Sequence, residues 1–200
     1  MLNKSLRAAL CLTAAGSLLA GCTTMNDADM DDDMTMDNRV TTATVGGATM
    51  YSDRTIVANA SNSRDHTTLV AAVKAAGLVD TLSGAGPFTV FAPTNAAFER
   101  LPAGTVDTLL QPANRDQLRS ILTYHVVNGR VTAADLMQRI RAGNGSARLT
   151  TVQGGTLTAR MQGSNVVLVD ARGGTATVTQ ADVMQSNGVI HVTNAVSMPM

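Results

Sequence analysis

Aromatic side chains are scarce in this sequence of 200 residues, which has three Phe, two Tyr and no Trp. A packed core must therefore be built from Val, Leu, Ile, Ala and Met, and a hydrophobic content of 44% is enough for one domain with a tail. The formal net charge is zero. Since electrostatic capture of nucleic acid needs an excess of basic residues, we expect no nucleic-acid partner.

Cysteine is nearly absent as well, because Cys11 and Cys22 are the only two. Cys11 lies in an apolar N-terminal run that we expect to be removed, which would leave Cys22 alone. A single cysteine cannot form an internal disulfide, and the sequence then keeps no thiol for catalysis.

The N-terminal segment 1–21 is typical of an export signal. Lys4 and Arg7 give it a positive start, and the apolar run AALCLTAAGSLLAG is shorter than a usual membrane span. The run ends in LLAGC, which resembles the lipobox of bacterial lipoproteins. That resemblance implies cleavage before Cys22, acylation of Cys22 and attachment to the lipid bilayer. The alternative is an ordinary cleaved signal. Thr23, rather than Asp, favours the outer membrane if the host is Gram-negative.

Residues 22–51 have the composition of a tether. Six Asp and four Met lie between Met25 and Asp37, and a Gly-Gly pair follows at 46–47. Because such a stretch buries too little apolar area to offset its ordering entropy, we predict a disordered, acidic spacer. A metal site is the alternative, but DADMDDD lacks the glycine and the final glutamate of an EF-hand loop, and no His accompanies the Met residues.

Residues 52–199 are predicted to form one domain. Helical periodicity marks TTLVAAVKAAG, which Gly77 should end, and RDQLRSILTYHVV. VTAADLMQRIRAG offers Thr132 as an N-cap with Asp135 three residues later. Short β-branched runs follow, in TLTARM, NVVLVD, GTATVTQ and GVIHVTNAV. Helices come early and strands late, which favours an α+β domain with an antiparallel sheet.

No motif for catalysis is present. The sequence has no G-x-S-x-G, no H-E-x-x-H and no P-loop, so we expect neither an enzyme nor a cofactor. The three histidines are His66, His125 and His191. Three histidines are enough in number to form a zinc site. His125 and His191 lie in apolar patterns, however, which favours core histidines and no metal.

Three ordered motifs indicate a family. FTVFAPTNAAF (88–98) and NGVIHVTNAVSMP (187–199) resemble the two signature boxes of the fasciclin (FAS1, beta-Ig-H3) domain, and LTYHVVNG (122–129) resembles its Tyr-His motif. The resemblance spans about 52–199 and implies a β-sandwich wedge of short strands flanked by α-helices, with the two boxes as neighbouring strands. The box residues singled out are Phe88, Phe91, Pro93, Thr94, Asn95, Phe98, Gly188, His191 and Asn194.

Two positions of the family pattern need interpretation. Tyr124 and His125 form a motif that the resemblance associates with adhesion, but burial of both groups with satisfied hydrogen bonds is the interpretation we favour. Thr193-Asn194 replaces the Ile-Asp found in many members. Asn keeps the hydrogen-bonding shape of Asp without its charge, so only a charge-dependent contact would be lost.

The resemblance implies a non-catalytic adhesion or recognition module, carried on a lipid anchor and facing a protein or polysaccharide ligand. Self-association stays open. The alternative is an envelope protein that binds a small ligand or metal through its Met/Asp stalk. Five arginines, which we interpret as solvated surface charge rather than as a basic patch, are Arg139, Arg141, Arg148, Arg160 and Arg172.

Overall fold

The computed structural model describes residues 40–200, in which helices and strands share the chain. The strands are β1 (Thr42–Val45), β2 (Ala48–Tyr51), β3 (Phe88–Pro93), β4 (Val126–Asn128), β5 (Ser146–Thr150), β6 (Thr156–Gln162), β7 (Asn165–Val169), β8 (Thr175–Gln185) and β9 (Gly188–Thr193). The helices are α1 (Ile56–Ala60), α2 (Thr67–Ala76), α3 (Val79–Ser83), α4 (Asn95–Glu99), α5 (Thr105–Leu109), α6 (Arg115–Tyr124) and α7 (Ala133–Ala142), with 3-10 turns at Arg64–His66 and Pro112–Asn114. The fold class is α+β, as the sequence predicts.

Seven strands pair in the order β4-β3-β9-β8-β7-β6-β5, and β1 and β2 form a separate hairpin. Every neighbouring pair in the larger sheet is antiparallel except β3 and β9, which run parallel. The expected antiparallel sheet is therefore wrong for this one pair, the second and third strands of the order. Parallel neighbours need a crossover connection, and here the crossover is most of the domain between the two signature boxes.

Two hydrophobic cores lie on opposite faces of the β3–β9 pair. One core packs Val90, Ile190 and Val192 against α1, α2, α3 and α6. The other packs Phe91 against the inward side chains of β5, β6, β7 and α7. Strand β8 joins the two parts, since its first residues pair with β7 and residues 178–185 pair with β9, with two register shifts within that pairing. The bridge between Val127 and Thr151 joins β4, at one end of the strand order, to the residue that follows β5, at the other end.

The helix boundary signals in the sequence are confirmed. Gly77 ends α2 in the left-handed conformation with φ 67°, which glycine adopts without a steric cost. Thr132 caps α7, and the Asp135 side chain accepts in return from the Thr132 backbone, which completes a capping box.

The predicted helix over 115–127 is too long. Helix α6 ends at Tyr124, His125 caps it, and Val126 and Val127 already belong to β4. β-branched residues lose side-chain freedom in a helix and pack well in a sheet, which explains the early stop.

The predicted boundary at residue 52 is also wrong, because residues 42–51 are an ordered hairpin and not a tether. Gly46 and Gly47, with φ 58° and 71°, form the two-residue turn that right-handed strand twist favours. Val45 and Met50 reach the first hydrophobic core and are 3% and 1% exposed. The predicted signal 1–21, Cys22 and the acidic stretch up to residue 39 lie outside the described residues.

Over residues 40–200, no helix is both long enough and apolar enough to cross a bilayer.

Candidate functional site: the signature strands and the Tyr-His junction

The two signature boxes form one paired unit, the second and third strands of the seven-stranded sheet. Phe88 faces Gly188 at one end of the parallel register, and Pro93 faces Thr193 at the other. A Cβ atom on Gly188 would collide with the Phe88 carbonyl, so the close approach of the two backbones requires glycine there. The boxes are neighbouring strands, as the family resemblance implies.

The sharp corner after β3 is held by two polar side chains. Pro93 ends the strand, and the Thr94 side chain accepts from the Ala97 amide to cap α4, which carries the buried Phe98. Asn95 donates to the Arg64 carbonyl and accepts from the Thr68 amide, at 2.8 and 3.0 Å. Asn95 thus fastens the corner to the start of α2, and the whole corner is structural.

Tyr124 is 1% exposed and sits at the end of α6. Its hydroxyl donates to the Thr156 carbonyl at 2.7 Å and accepts from the Ala171 amide at 3.0 Å. Burial raises the pKa of the Tyr124 phenol, so it stays protonated and donates at neutral pH. The side chain therefore joins α6 to the turns that flank β6 and β7.

His125 has both ring nitrogens engaged. Nδ1 donates to the Ile121 carbonyl at 2.8 Å, and Nε2 accepts from the Ser197 amide at 2.9 Å. Because a carbonyl only accepts and an amide only donates, these partners assign the neutral ring with its proton on Nδ1. Burial lowers the pKa of His125, which is 3% exposed. The ring ties the C-terminal segment to α6.

His191 lies on β9 in the second core, stacked on Phe91 with ring centroids 5.5 Å apart. Nε2 donates to the Val131 carbonyl at 2.8 Å, and Nδ1 accepts from the Asp182 amide at 3.3 Å. Burial lowers the pKa of His191, so the ring is neutral. Asp182 occupies a left-handed conformation with φ 58° in the irregular part of β8, and its carboxylate accepts from the Ala133 amide at the start of α7.

His66 is the third buried histidine. Its Nδ1 lies 2.9 Å from Ser63 Oγ, a distance that a nucleophile and its base could have. Ser63 is 2% exposed, however, and its hydroxyl lies within hydrogen-bonding distance of the Val45 carbonyl, so no substrate reaches the pair. His66 Nε2 finds no hydrogen-bond partner within residues 40–200, and burial lowers the pKa of this ring.

The three histidines are not brought together. In the part of the chain that the structure describes, no group of three or more His, Cys, Asp or Glu side chains could hold a metal ion. Each imidazole is buried at a different contact between structural elements. His125 lines a small apolar cavity of about 30 Å³ together with side chains of α1, α2, α3 and α6. Both of its ring nitrogens are engaged in internal hydrogen bonds, so the ring stabilises packing.

Asn194, which stands where many family members have Asp, accepts two hydrogen bonds. Its side-chain oxygen accepts from the Thr177 amide at 2.9 Å, and its carbonyl accepts from the Arg100 guanidinium at 3.1 Å. A neutral amide oxygen serves the first contact as well as a carboxylate does.

Sequence reasoning missed a set of polar side chains that hold distant elements together. Asn187 accepts from the Ile56 amide and donates to the carbonyls of Leu82 and Gly84, at 2.9, 2.8 and 2.9 Å. Asn59 bonds both backbone groups of Tyr51 and also the side chain of Gln185. Their partners are up to 131 residues away, so no local pattern signals them.

Three of the five arginines lie near one another, Arg172 lies elsewhere, and Arg141 is an exposed residue in the last turn of α7. Arg139 and Arg148 line one surface depression between α7 and β5, and Arg160 stands opposite Ser146 of the same depression. Arg172 lies apart, because its Nε donates to the Pro199 carbonyl at 2.8 Å.

The fold and its paired boxes define a fasciclin-type domain, and comparison with known proteins agrees. The fasciclin domain model matches residues 64–199, so the chain belongs to that family. Protein sll1483 of Synechocystis sp. is 47% identical over 164 residues, which cover 82% of this chain and 84% of that protein. The cell surface glycolipoprotein MPB83 of Mycobacterium bovis is 60% identical over 55 residues, covering 28% and 24% of the two chains.

A solved structure shares the fold. It is a FAS1 domain pair from the insect cell adhesion molecule fasciclin I, with 27% identity and a TM-score of 0.50. The match covers 63% of this chain and 42% of the insect chain, so this chain spans less than half of that two-domain structure.

Proposed function

We propose that this protein is an exported lipoprotein whose fasciclin domain acts as a non-catalytic adhesion or recognition module. Members of the fasciclin family are generally non-catalytic adhesion proteins. One relative is named a cell surface glycolipoprotein, and the matched solved structure comes from a cell adhesion molecule. The partner in this proposal is a protein or polysaccharide of a cell surface, a matrix or the envelope.

One observation carries the proposal. The side chains that sequence reasoning marks as chemically notable, Tyr124, His125 and His191, are buried and engaged in internal hydrogen bonds. Tyr124 and His125 form part of the walls of two depressions, but the polar atoms of all three side chains are taken up by internal hydrogen bonds, which favours recognition through the outer surface of the sandwich.

The lipid anchor rests on the LLAGC sequence at the end of the proposed signal. With residues 1–21 removed, Cys22 carries the acyl chains, and two or more chains hold a protein on a bilayer stably. The full chain should fractionate with membranes, and Cys22→Ala should move it to the aqueous fraction. A Cys22→Ala protein that stays with the membrane would contradict the anchor. Cys11→Ala, inside the discarded segment, is the matched control and should change nothing.

Recognition is tested with residues 22–200 carrying Cys22→Ser, coupled to beads. We expect saturable retention on intact cells or secreted matrix of the organism that makes the protein, above that of beads with an unrelated sandwich domain. Retention equal to the unrelated domain on both surfaces would contradict the adhesion function.

A further inference from the structure

Two exposed arginines, Arg139 and Arg148, line a depression where α7 meets β5, and a third exposed arginine, Arg160, lies on the neighbouring strand β6. We call Arg139, Arg148 and Arg160 the arginine corner. The turn between α7 and β5 is tight, since a Cβ on Gly143 would collide with the Ser146 carbonyl. The turn therefore holds the last turn of α7, with Arg139, beside the first residues of β5. A surface depression of about 610 Å³ lies between them.

The register of the sheet places the other two guanidinium groups on one face. Ser146 is directly opposite Arg160, and Arg148 is directly opposite Thr158. Arg148 and Arg160 are thus diagonal neighbours, whose Cα atoms are typically about 7–8 Å apart. Ala147 and Leu149, between the outward positions, point into the second core. The strand pairing thus fixes the backbone positions of Arg148 and Arg160 relative to each other, and Arg139 belongs to α7.

The positive charge of the corner is only partly balanced by nearby sequence. Four arginines and no acidic residue occur between Asp135 and Asp170. The Asp135 carboxylate accepts from the backbone and hydroxyl of Thr132, and these hydrogen bonds, with a smaller effect of the Arg139 charge, lower the pKa of Asp135. The Asp170 carboxylate accepts from the amides of Arg172, Gly174 and Met198. Both flanking carboxylates are thus engaged in structural contacts, and the chain, neutral as a whole, presents a local excess of positive charge here.

The face around the corner is polar throughout. The outward positions of the two strands carry hydroxyl, guanidinium and amide groups: Ser146, Arg148, Thr150, Thr156, Thr158, Arg160 and Gln162. A site for a lipid surface would add apolar side chains that enter the bilayer, and a site for single-stranded nucleic acid would add aromatic rings for the bases. These positions offer neither. Guanidinium forks bind carboxylates in two-point contacts, and hydroxyls both donate and accept.

The depression also runs along an open strand edge. Strand β5 is the last strand of the sheet and pairs only with β6 over Ser146–Thr150. An edge strand presents unpaired amides and carbonyls. An extended polymer lying along it meets hydrogen-bonding groups from the backbone on one side and guanidinium groups from both α7 and the sheet.

We propose that the arginine corner binds a carboxylate-bearing polysaccharide. This inference rests on the proposed recognition function and names the partner class for it. Sugar carboxylates match the guanidinium forks, and sugar hydroxyls match the Ser and Thr rows between them.

The test measures binding of residues 22–200, carrying Cys22→Ser, to polygalacturonate at low salt. We expect saturable binding that added NaCl weakens, and no binding to neutral dextran. Arg148→Gln with Arg160→Gln should weaken binding by about tenfold or more, since the loss of even one charged hydrogen bond is worth roughly a factor of ten. The matched control is Arg64→Gln with Arg119→Gln, which removes the same charge from exposed positions elsewhere and should change affinity by less than about twofold.

Several results would overturn the proposal. These are an equal loss in both double variants, no loss in either, or tighter binding to polyglutamate than to polygalacturonate, which would assign the corner to an acidic protein. All four substitutions are at exposed side chains, so unchanged thermal unfolding verifies that the variants are folded.

Retention of the same proteins on cells distinguishes a failure of the polysaccharide proposal from a failure of the proposed adhesion function. Parent beads and corner-variant beads retained alike would overturn the arginine corner and leave adhesion intact. Parent protein that binds polygalacturonate but is not retained on cells or matrix would contradict adhesion and leave the corner standing.

Discussion

Replacing Tyr124 with Phe tests whether the Tyr-His motif is structural. The change removes one oxygen atom and keeps the ring, which the second core surrounds. The lost hydroxyl made two hydrogen bonds, to the Thr156 carbonyl and from the Ala171 amide. Each such bond contributes about 0.5–1.5 kcal/mol net, so we expect a loss of about 2 kcal/mol in the free energy of unfolding.

That loss is large enough to measure. For a domain of this size, 1 kcal/mol corresponds to about 2–4 °C in the melting temperature, so Tyr124→Phe should melt about 4–8 °C lower. Urea denaturation followed by circular dichroism gives the free energy directly, with an unchanged slope if only stability is affected. The matched control is Tyr51→Phe, because Tyr51 is 36% exposed and its ring stays in place beneath the Arg54 guanidinium. The control should differ from the parent by less than about 0.5 kcal/mol.

The reasoning is refuted if Tyr124→Phe and Tyr51→Phe unfold at the same urea concentration. It is refuted more sharply if Tyr124→Phe keeps the parental stability yet loses retention on cells, because the hydroxyl would then serve a ligand rather than the fold.

Three further predictions concern other parts of the domain. Acid should destabilise it, because burial lowers the pKa of His66, His125 and His191 below the unfolded value near 6.5, so the unfolded chain binds more protons. Urea midpoints should be constant above about pH 7.5 and fall as the pH drops below about 6.5; midpoints that do not change down to about pH 5 would contradict this. Asn187→Ala should cost about 3 kcal/mol, roughly one for each hydrogen bond lost, and an undiminished urea midpoint would show that the contacts are dispensable. Met50→Ala should lower the free energy of unfolding by about 3 kcal/mol because it leaves a cavity, whereas Met161→Ala, at a side chain 38% exposed, should lower it little. Equal melting temperatures of the two variants would indicate that the hairpin is part of the tether and not of the folded domain.

The sequence predicted the helix ends that are set by contacts between residues close together in the chain. Thr132 and Asp135 reveal their helix start because both capping contacts lie within three residues. Gly77 reveals a helix end for a similar reason. The pairing of the signature boxes required the family resemblance, since nothing in either box specifies a partner 100 residues away.

Other features depend on tertiary contacts that no local pattern carries. The Gly-Gly pair at 46–47 is compatible with a linker and with a hairpin turn, and burial of Val45 and Met50 decides between them. The arginines, interpreted from the sequence as scattered surface charge, form a corner only because the register sets Ser146 opposite Arg160. The roles of Asn187 and Asp182 depend on partners that fold against them from other elements.

The central claim is that this domain recognises a surface outside itself through its exterior. The most direct measurement is the retention of beads carrying residues 22–200 with Cys22→Ser on intact cells and secreted matrix, in the presence of increasing free protein of the same sequence. The account predicts retention that saturates and that the free protein displaces. Retention no greater than that of an unrelated sandwich domain, or retention that free protein does not reduce, would contradict it.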